Sequence, residues 1–369
     1  MSKFQAFLKR KNIVFSAKRY GIDALSAMAQ GLFASLLVGT ILNTLGTQFN
    51  IGFLKAIILT VGSGEKAVTY TMGGIASAMV GPAMAVAIGY ALQAPPLVLF
   101  TLVPVGFATN AMGGAGGPLA VLVVAIVAAE FGKAVSKETK VDILVTPIVT
   151  LLIGVGLSYF IAAPIGIAAS WVGKFIMWTT ELHPFLMGII VSVVMGVALT
   201  LPISSAAICA AFGLVGLAGG ACVAGCCAQM VGFAVMSFKE NRWGGLVSQG
   251  LGTSMLQMGN IVKNPKIWIP ATLASAITGP MATCLFKFQM NDPAGGVASG
   301  MGTCGMVGPI GVYAGWVNDV ATGAKAAITS MDWVAMVLLC LVLPAVLTLL
   351  FGAVCRKLGW IKDGDLKLD

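Results

Sequence analysis

Polar residues in this chain come as short interruptions of long apolar runs. The runs cover 24–45, 71–93, 96–112, 117–133, 142–169, 184–201, 205–236, 267–286 and 332–355, with very short links between them. A bilayer core of about 30 Å is crossed by about 20 apolar residues of helix, so each run reads as a membrane segment. Two stretches resist that reading: Ile51 to Val61 is too short to span, and 294–316 is too rich in glycine for a regular helix. The run 205–236 is too long for one span, which predicts a break near Gly216–Gly220. The expectation is an all-α polytopic membrane protein with about ten segments of about 20 residues, some broken or re-entrant.

The sharpest interruption lies between Gly250 and Lys287. Thr253, Ser254, Gln257, Asn260, Lys263 and Asn264 stand there among glycines, and Pro265 and Pro270 follow. Lipid offers no partner to a freed backbone group, so such a segment at membrane depth is either buried in protein or lines a wet cavity. Transporters place substrate and ions at discontinuous segments of this kind. A solute pathway is therefore the leading reading. The apolar runs contain a second break, Leu201-Pro202-Ile203-Ser204-Ser205.

Composition agrees with a membrane class. The chain is 58% hydrophobic and 9% charged, with a mean hydropathy of +0.96. A soluble domain carries about a quarter charged residues. The 47 glycines suit tightly packed membrane helices, because small residues let backbones approach closely. The net charge of +9 lies mostly in flanks and loops, so it is no nucleic-acid signature. Lys3, Lys9, Arg10, Lys11, Lys18 and Arg19 precede the first run, and Arg356, Lys357, Lys362 and Lys367 follow the last. By the positive-inside rule both termini are expected in the cytoplasm. No cleavable signal is read at the start; residues 1–19 form a basic cytoplasmic segment with an interfacial helix, and 356–369 a cytoplasmic tail.

The eight cysteines lie almost wholly in apolar segments and read as small buried residues rather than a disulfide framework or a soft-metal site. With His183 the single histidine, a His-cluster metal site is excluded, and no metal or cofactor is expected. Among charged residues, Glu130 and Lys133 sit one helical turn apart at a span end and read as a snorkelling or surface pair. Glu181 and His183 read as a solvated link, with a proton-sensitive gate as the alternative. Asp292, before Pro293 and the glycine-rich run, is the acid expected to face a cavity.

The candidate solute-binding residues are Pro202, Ser204, Ser205, Thr253, Ser254, Gln257, Asn260 and Asp292. Gln257 and Asn260 carry donors and acceptors together, which suits the reading of sugar hydroxyls; bracing of the loop is the alternative. Ser204 and Ser205 read equally as binding residues or as side chains bonded to the preceding turn. Short echoes also run through the chain: Met79-Val80-Gly81-Pro82 recurs as Met306-Val307-Gly308-Pro309, and Gly250-Leu251-Gly252-Thr253 resembles Gly300-Met301-Gly302-Thr303.

Several stretches together resemble the membrane (IIC) component of bacterial phosphotransferase sugar permeases. They are Gly113-Gly114-Ala115-Gly116-Gly117-Pro118, the stretch Lys137 to Pro147, the Leu201–Ala207 turn and the Gly259–Pro270 segment. The nearest branch is a stand-alone one that includes proteins labelled as toxin regulators. The resemblance covers about residue 20 to about residue 355. It implies a homodimer with a scaffold half, residues 20–178, and a mobile substrate half, residues 179–355. It also implies a carbohydrate solute and a separate cytosolic IIB partner, itself served by IIA, in a bacterial cytoplasmic membrane; no IIA or IIB domain is read in this sequence. At most, then, the chain is the membrane subunit of an enzyme. In fructose-type relatives a Gly-Ile-Thr-Glu-Gly motif marks the binding region, and Gln257 stands near the place of its glutamate. An amide cannot take a proton from a sugar hydroxyl as a carboxylate can. That departure keeps open a donor-free, ion-coupled transporter on the same fold, and the branch keeps open a membrane sensor or regulator.

Overall fold

The computed structural model describes residues 3–64, 67–291 and 296–368. The chain parts into two compact units, Met1–Ala168 and Ala169–Asp369.

In the first unit, α1 (Lys3–Arg10) is a short amphipathic helix. Phe4, Phe7 and Leu8 of α1 line an apolar groove with Ile126 and Phe131. Helical turns from Arg19 to Thr47 form one apolar stretch of 29 residues, which contains α2 (Ala24–Leu32) and α3 (Val38–Gln48). The stretch too short to span becomes α4 (Gly52–Lys55) and a small antiparallel hairpin, β1 (Leu59–Val61) with β2 (Val68–Tyr70). That hairpin is absent from the all-helical expectation. Next come α5 (Met72–Ala78) and α6 (Val80–Ala91), bent by 53° at Met79. Then follow α7 (Pro96–Gly113), α8 (Gly117–Val135) and α9 (Asp142–Thr180), the last running on into the second unit. Gly114, at φ 50° and ψ −123°, turns the chain between α7 and α8, which pack on one another.

Glu130 and Lys133 correct an expectation. They form not an exposed pair but a buried one, with Lys133 2% and Glu130 8% exposed and Nζ 2.8 Å from Oε2. The cause is the chain before α2, which folds back over the end of α8. Lys133 Nζ also donates to the carbonyls of Asn12 at 2.9 Å and Leu92 at 3.0 Å. Beside it, Glu138 accepts from Arg10 at 2.7 Å and pairs with Lys11, which also donates to the Ser136 carbonyl. Glu181 and His183 are exposed in the link before α10, as a solvated link requires.

The second unit carries α10 (Pro184–Thr200), α11 (Ser205–Phe212), α12 (Gly216–Met236), α13 (Phe238–Val247), α14 (Met258–Lys263) and α15 (Ile269–Pro280). After these come α16 (Val307–Ala321), α17 (Ser330–Val337) and α18 (Leu343–Lys357). The long run 205–236 does break, at Gly213 and Gly216, with φ of 57° and 66°. Helix α12 is the axis of the unit: α10, α15 and α18 pack against it, and its residues are almost all buried. Glycines set the spacing. A Cβ on Gly225 would meet the Ser192 carbonyl oxygen at 2.0 Å, and one on Gly279 would meet that of Gly188 at 2.1 Å. Two serines bridge the same helices, Ser192 donating to Ser275 O at 2.8 Å and Ser275 to Gly225 O at 3.2 Å. Between membrane helices such bonds average about 0.6 kcal/mol, so close packing is the larger share of the association.

The Met-Val-Gly-Pro echo marks one device used twice. Each copy restarts a helix after a break, α6 after Met79 and α16 after Met306, the latter at φ 59°. Each glycine sits against backbone: a Cβ on Gly81 would lie 2.3 Å from Gly106 O, and one on Gly308 2.4 Å from Gly302 O. Among the described residues five helices are long and apolar enough to cross a bilayer, or six if α5 and α6 form one bent span. The expectation is about ten segments of about 20 residues; besides these five or six, the described residues hold one shorter apolar helix, Pro184–Thr200. Two of the five, Pro96–Val135 at 40 residues and Asp142–Thr180 at 39, are about twice the length one span needs.

Candidate functional site

The polar segment after Val247 is the most broken stretch of the second unit. A π-turn, Ser248–Gly252, leads to Thr253 in extended conformation, φ −159° and ψ 141°. The Thr253 hydroxyl accepts from Met255 N at 3.1 Å and starts a 3-10 turn, Ser254–Gln257, that runs into α14. Asn264 repeats the device: its side chain accepts from Lys266 N at 3.2 Å, and Pro265 opens the next turn, where a missing N–H does no harm. Capping side chains thus satisfy backbone groups at the ends of these short turns.

This backbone threads three amides into one directed chain. Asn260 Nδ2 donates to Gln257 Oε1, Gln257 Nε2 to Gln249 Oε1, and Gln249 Nε2 to Ser237 Oγ, each at 2.8 Å. Gln249 and Gln257 are fully buried, and Asn260 is 7% exposed. A second cluster meets the same turn. Ser254 Oγ lies 2.8 Å from Thr200 Oγ1, at the end of α10. Gln229 of α12 accepts from Trp268 Nε1 at 2.9 Å and donates to Thr272 Oγ1 at 3.3 Å. The turn therefore stands between a chain of amides and a hydroxyl–amide group inside the helix packing.

The remaining donors of the amide chain go to residues far along the sequence. Gln257 Nε2 donates to Leu366 O at 2.9 Å, and Asn260 Nδ2 to Lys367 O at 2.8 Å. Asn241 grips the same strand of backbone at two points: its Nδ2 donates to Leu366 O at 2.7 Å and its Oδ1 accepts from Leu368 N at 2.8 Å. Glu240 Oε2 accepts from Leu366 N at 2.9 Å. Asn264 Nδ2 reaches Trp360 O and Asp365 Oδ2, at 2.9 and 2.8 Å. The Leu366 side chain is fully buried at this seat.

Of the sequence-predicted residues, Thr253, Ser254, Gln257 and Asn260 come together here. Pro202 is buried in the turn that follows Thr200. Ser204 caps α11 by accepting from Ala207 N at 3.2 Å, and Ser205 donates to Gly300 O at 2.7 Å. Those hydrogen bonds tie α11 to itself and to the glycine-rich segment, not to the amides. Asp292 lies outside the described residues. Sequence reasoning missed Gln229, Gln249, Glu240 and Asn241. Gln229 had a signal, being the one side-chain amide in the 21-residue α12. Glu240 and Asn241 hid in a basic link that reads as a cytoplasmic loop.

Long apolar helices and a discontinuous segment capped and buried in protein define a polytopic helical membrane protein. The sequence model for "Phosphotransferase system, EIIC" matches residues 22–368, and the chain belongs to that family. It is a multi-pass membrane protein of the permease type, as the resemblance implied. No curated protein and no solved structure matches the chain.

Proposed function

We propose that this chain moves a small polyhydroxylated solute, a carbohydrate, across the bacterial cytoplasmic membrane by alternating access, with Gln257 and Asn260 reading its hydroxyls. One observation carries the reading: a chain of buried amides on a segment that lipid would not tolerate unprotected. Side-chain amides donate and accept at once, as a hydroxyl does, so a sugar can replace their present partners bond for bond. In this scheme residues 20–178 are the dimerising scaffold and 179–355 the substrate half. Both termini are cytoplasmic, and a separate IIB protein phosphorylates the solute as it emerges.

A second reading rests on Gln257 itself. Its amide offers no base for a sugar hydroxyl, and its nitrogen donates to two oxygen acceptors. That favours a transporter that releases unmodified solute. Uptake by reconstituted protein, with and without phosphorylated IIB and across sodium or proton gradients, separates the two. Sugar phosphate formed only with IIB supports the first reading. Free sugar accumulated without a phosphate donor supports the second. Binding with no flux under any condition would overturn both.

A further inference from the structure

The amide chain already holds a ligand, and that ligand is part of this chain. We propose that residues Ile361–Leu368 form a displaceable latch whose seating on Asn241, Gln257 and Asn260 and the seating of a polyhydroxylated solute exclude one another. The exclusion rests on the permease reading above; the latch itself does not.

The nature of the contacts argues for displacement. Ile361 and Leu366 are the segment's two deeply buried side chains, 2% and 0% exposed. Lys362, Asp363 and Lys367 point into solvent. The segment has no helix or strand of its own. Beyond α18, among the described residues, each hydrogen bond that anchors it runs to or from a side chain. A strand held by backbone ladders leaves a row of orphaned peptide groups when it departs. This segment leaves neutral amides and the Glu240 carboxylate, side-chain groups that water or sugar hydroxyls can satisfy. The apolar anchors are Ile361 and Leu366, in the manner of a short peptide docked on a receptor by backbone capture and side-chain pockets.

Both functions also need the same atoms. Gln257 Nε2 divides its donors between Gln249 Oε1 and Leu366 O, and Asn260 Nδ2 between Gln257 Oε1 and Lys367 O. A primary amide has two N–H groups, so neither residue keeps a free donor while the latch is seated. A sugar that used either amide as donor would have to evict it. Glu240 adds one charged acceptor to the seat, its carboxylate accepting Leu366 N at 2.9 Å.

The test uses the chain truncated after Trp360 and a fluorescent peptide of residues 361–369. The truncated protein should bind the peptide, Asn241→Ala in the same background should weaken that binding at least tenfold, and the intact chain should bind none. Failure of the truncated, folded protein to bind peptide would overturn the latch. Should truncation impair folding, a nitroxide at Lys367→Cys in a Cys284→Ser background reads the seat in the full chain. It should be immobile there and mobile after Leu366→Asp; equal mobility in both would equally overturn the proposal. A panel of D-glucose, D-fructose, D-mannitol and N-acetyl-D-glucosamine tests exclusion. A panel compound should bind the truncated chain about tenfold more tightly than the intact chain, and the peptide should reverse the gain. Equal sugar binding by both chains would overturn exclusion while supporting the carbohydrate reading. Peptide capture with no panel compound binding any variant would overturn the carbohydrate reading while supporting the latch.

Discussion

Both ends of the chain fold back onto helix ends, but the two grips differ in chemistry. In the first unit the chain before α2 is held by charge: Lys133 buried against Glu130 and two carbonyls, with Arg10 and Lys11 on Glu138. In the second unit the residues after α18 are held mainly by the neutral amides of Asn241, Gln257, Asn260 and Asn264, with the Glu240 carboxylate and the exposed Lys239–Asp363 pair beside them. Removing one partner of a buried ion pair strands the other charge, so that grip is suited to permanence. A neutral amide exchanges one partner for another at little net cost, so the second grip is suited to exchange.

The largest effect should come from the ionic side. Lys133→Met leaves Glu130 buried without its cation and should destabilise the first unit by about 3–5 kcal/mol. Adding Glu130→Gln should recover most of that loss. Unfolding titrations of the two variants check it, and a single variant as stable as the parent would erase the contrast between the two ends.

Next is the amide side. In the chain truncated after Trp360, Gln257→Ala or Asn260→Ala should weaken solute binding by about 1–3 kcal/mol, the range for a buried polar group left unpaired. Gln257→Glu in the intact chain sharpens the point. Its carboxylate would face Gln249 Oε1 and Leu366 O, two acceptors, so residues 361–368 should leave their seat at neutral pH. Protease sensitivity confined to those residues would report it; full protection would mean that Gln257 does not act as the donor to Leu366.

Weaker still is the exposed pair of Lys239 and Asp363, 3.0 Å apart and about 70% exposed on each side. Lys239→Ala should change the affinity of residues 361–369 as a peptide by no more than about 1 kcal/mol, and less in high salt. A larger loss would mean that charge, not amide chemistry, holds that end.

The smallest effect concerns pH. The Lys11 hydrogen bond, helped by Arg10, holds the Glu138 carboxyl below the usual carboxylate range. A folded pKa lowered in this way adds stability above the unfolded pKa, and that stability is lost as pH falls through the folded value. Protease protection of residues 3–16 should therefore step down on acidification below the ordinary carboxylate range, and Glu138→Gln should remove the step. A step on the alkaline side instead would reverse the assignment.

Hydropathy is a local property, and what depends on it was legible in the sequence. The apolar runs mark the membrane helices, the Gly213–Gly216 break appears as a run too long for one span, and the polar segment after Gly250 emerges as a series of capped short turns. Burial of Glu130 and Lys133 was not legible, because it depends on Asn12, 121 residues from Lys133 along the chain. The hairpin β1–β2 was equally hidden, since its three-residue strands are too short to show a period.

The sequence by itself therefore determined the class, the breaks and the clustering of amides on the polar segment after Gly250. Only the tertiary structure decided what those amides hold, because a hydrogen-bond partner is chosen by proximity in space. Gln257 and Leu366 are 109 residues apart and share no periodicity that would announce their meeting.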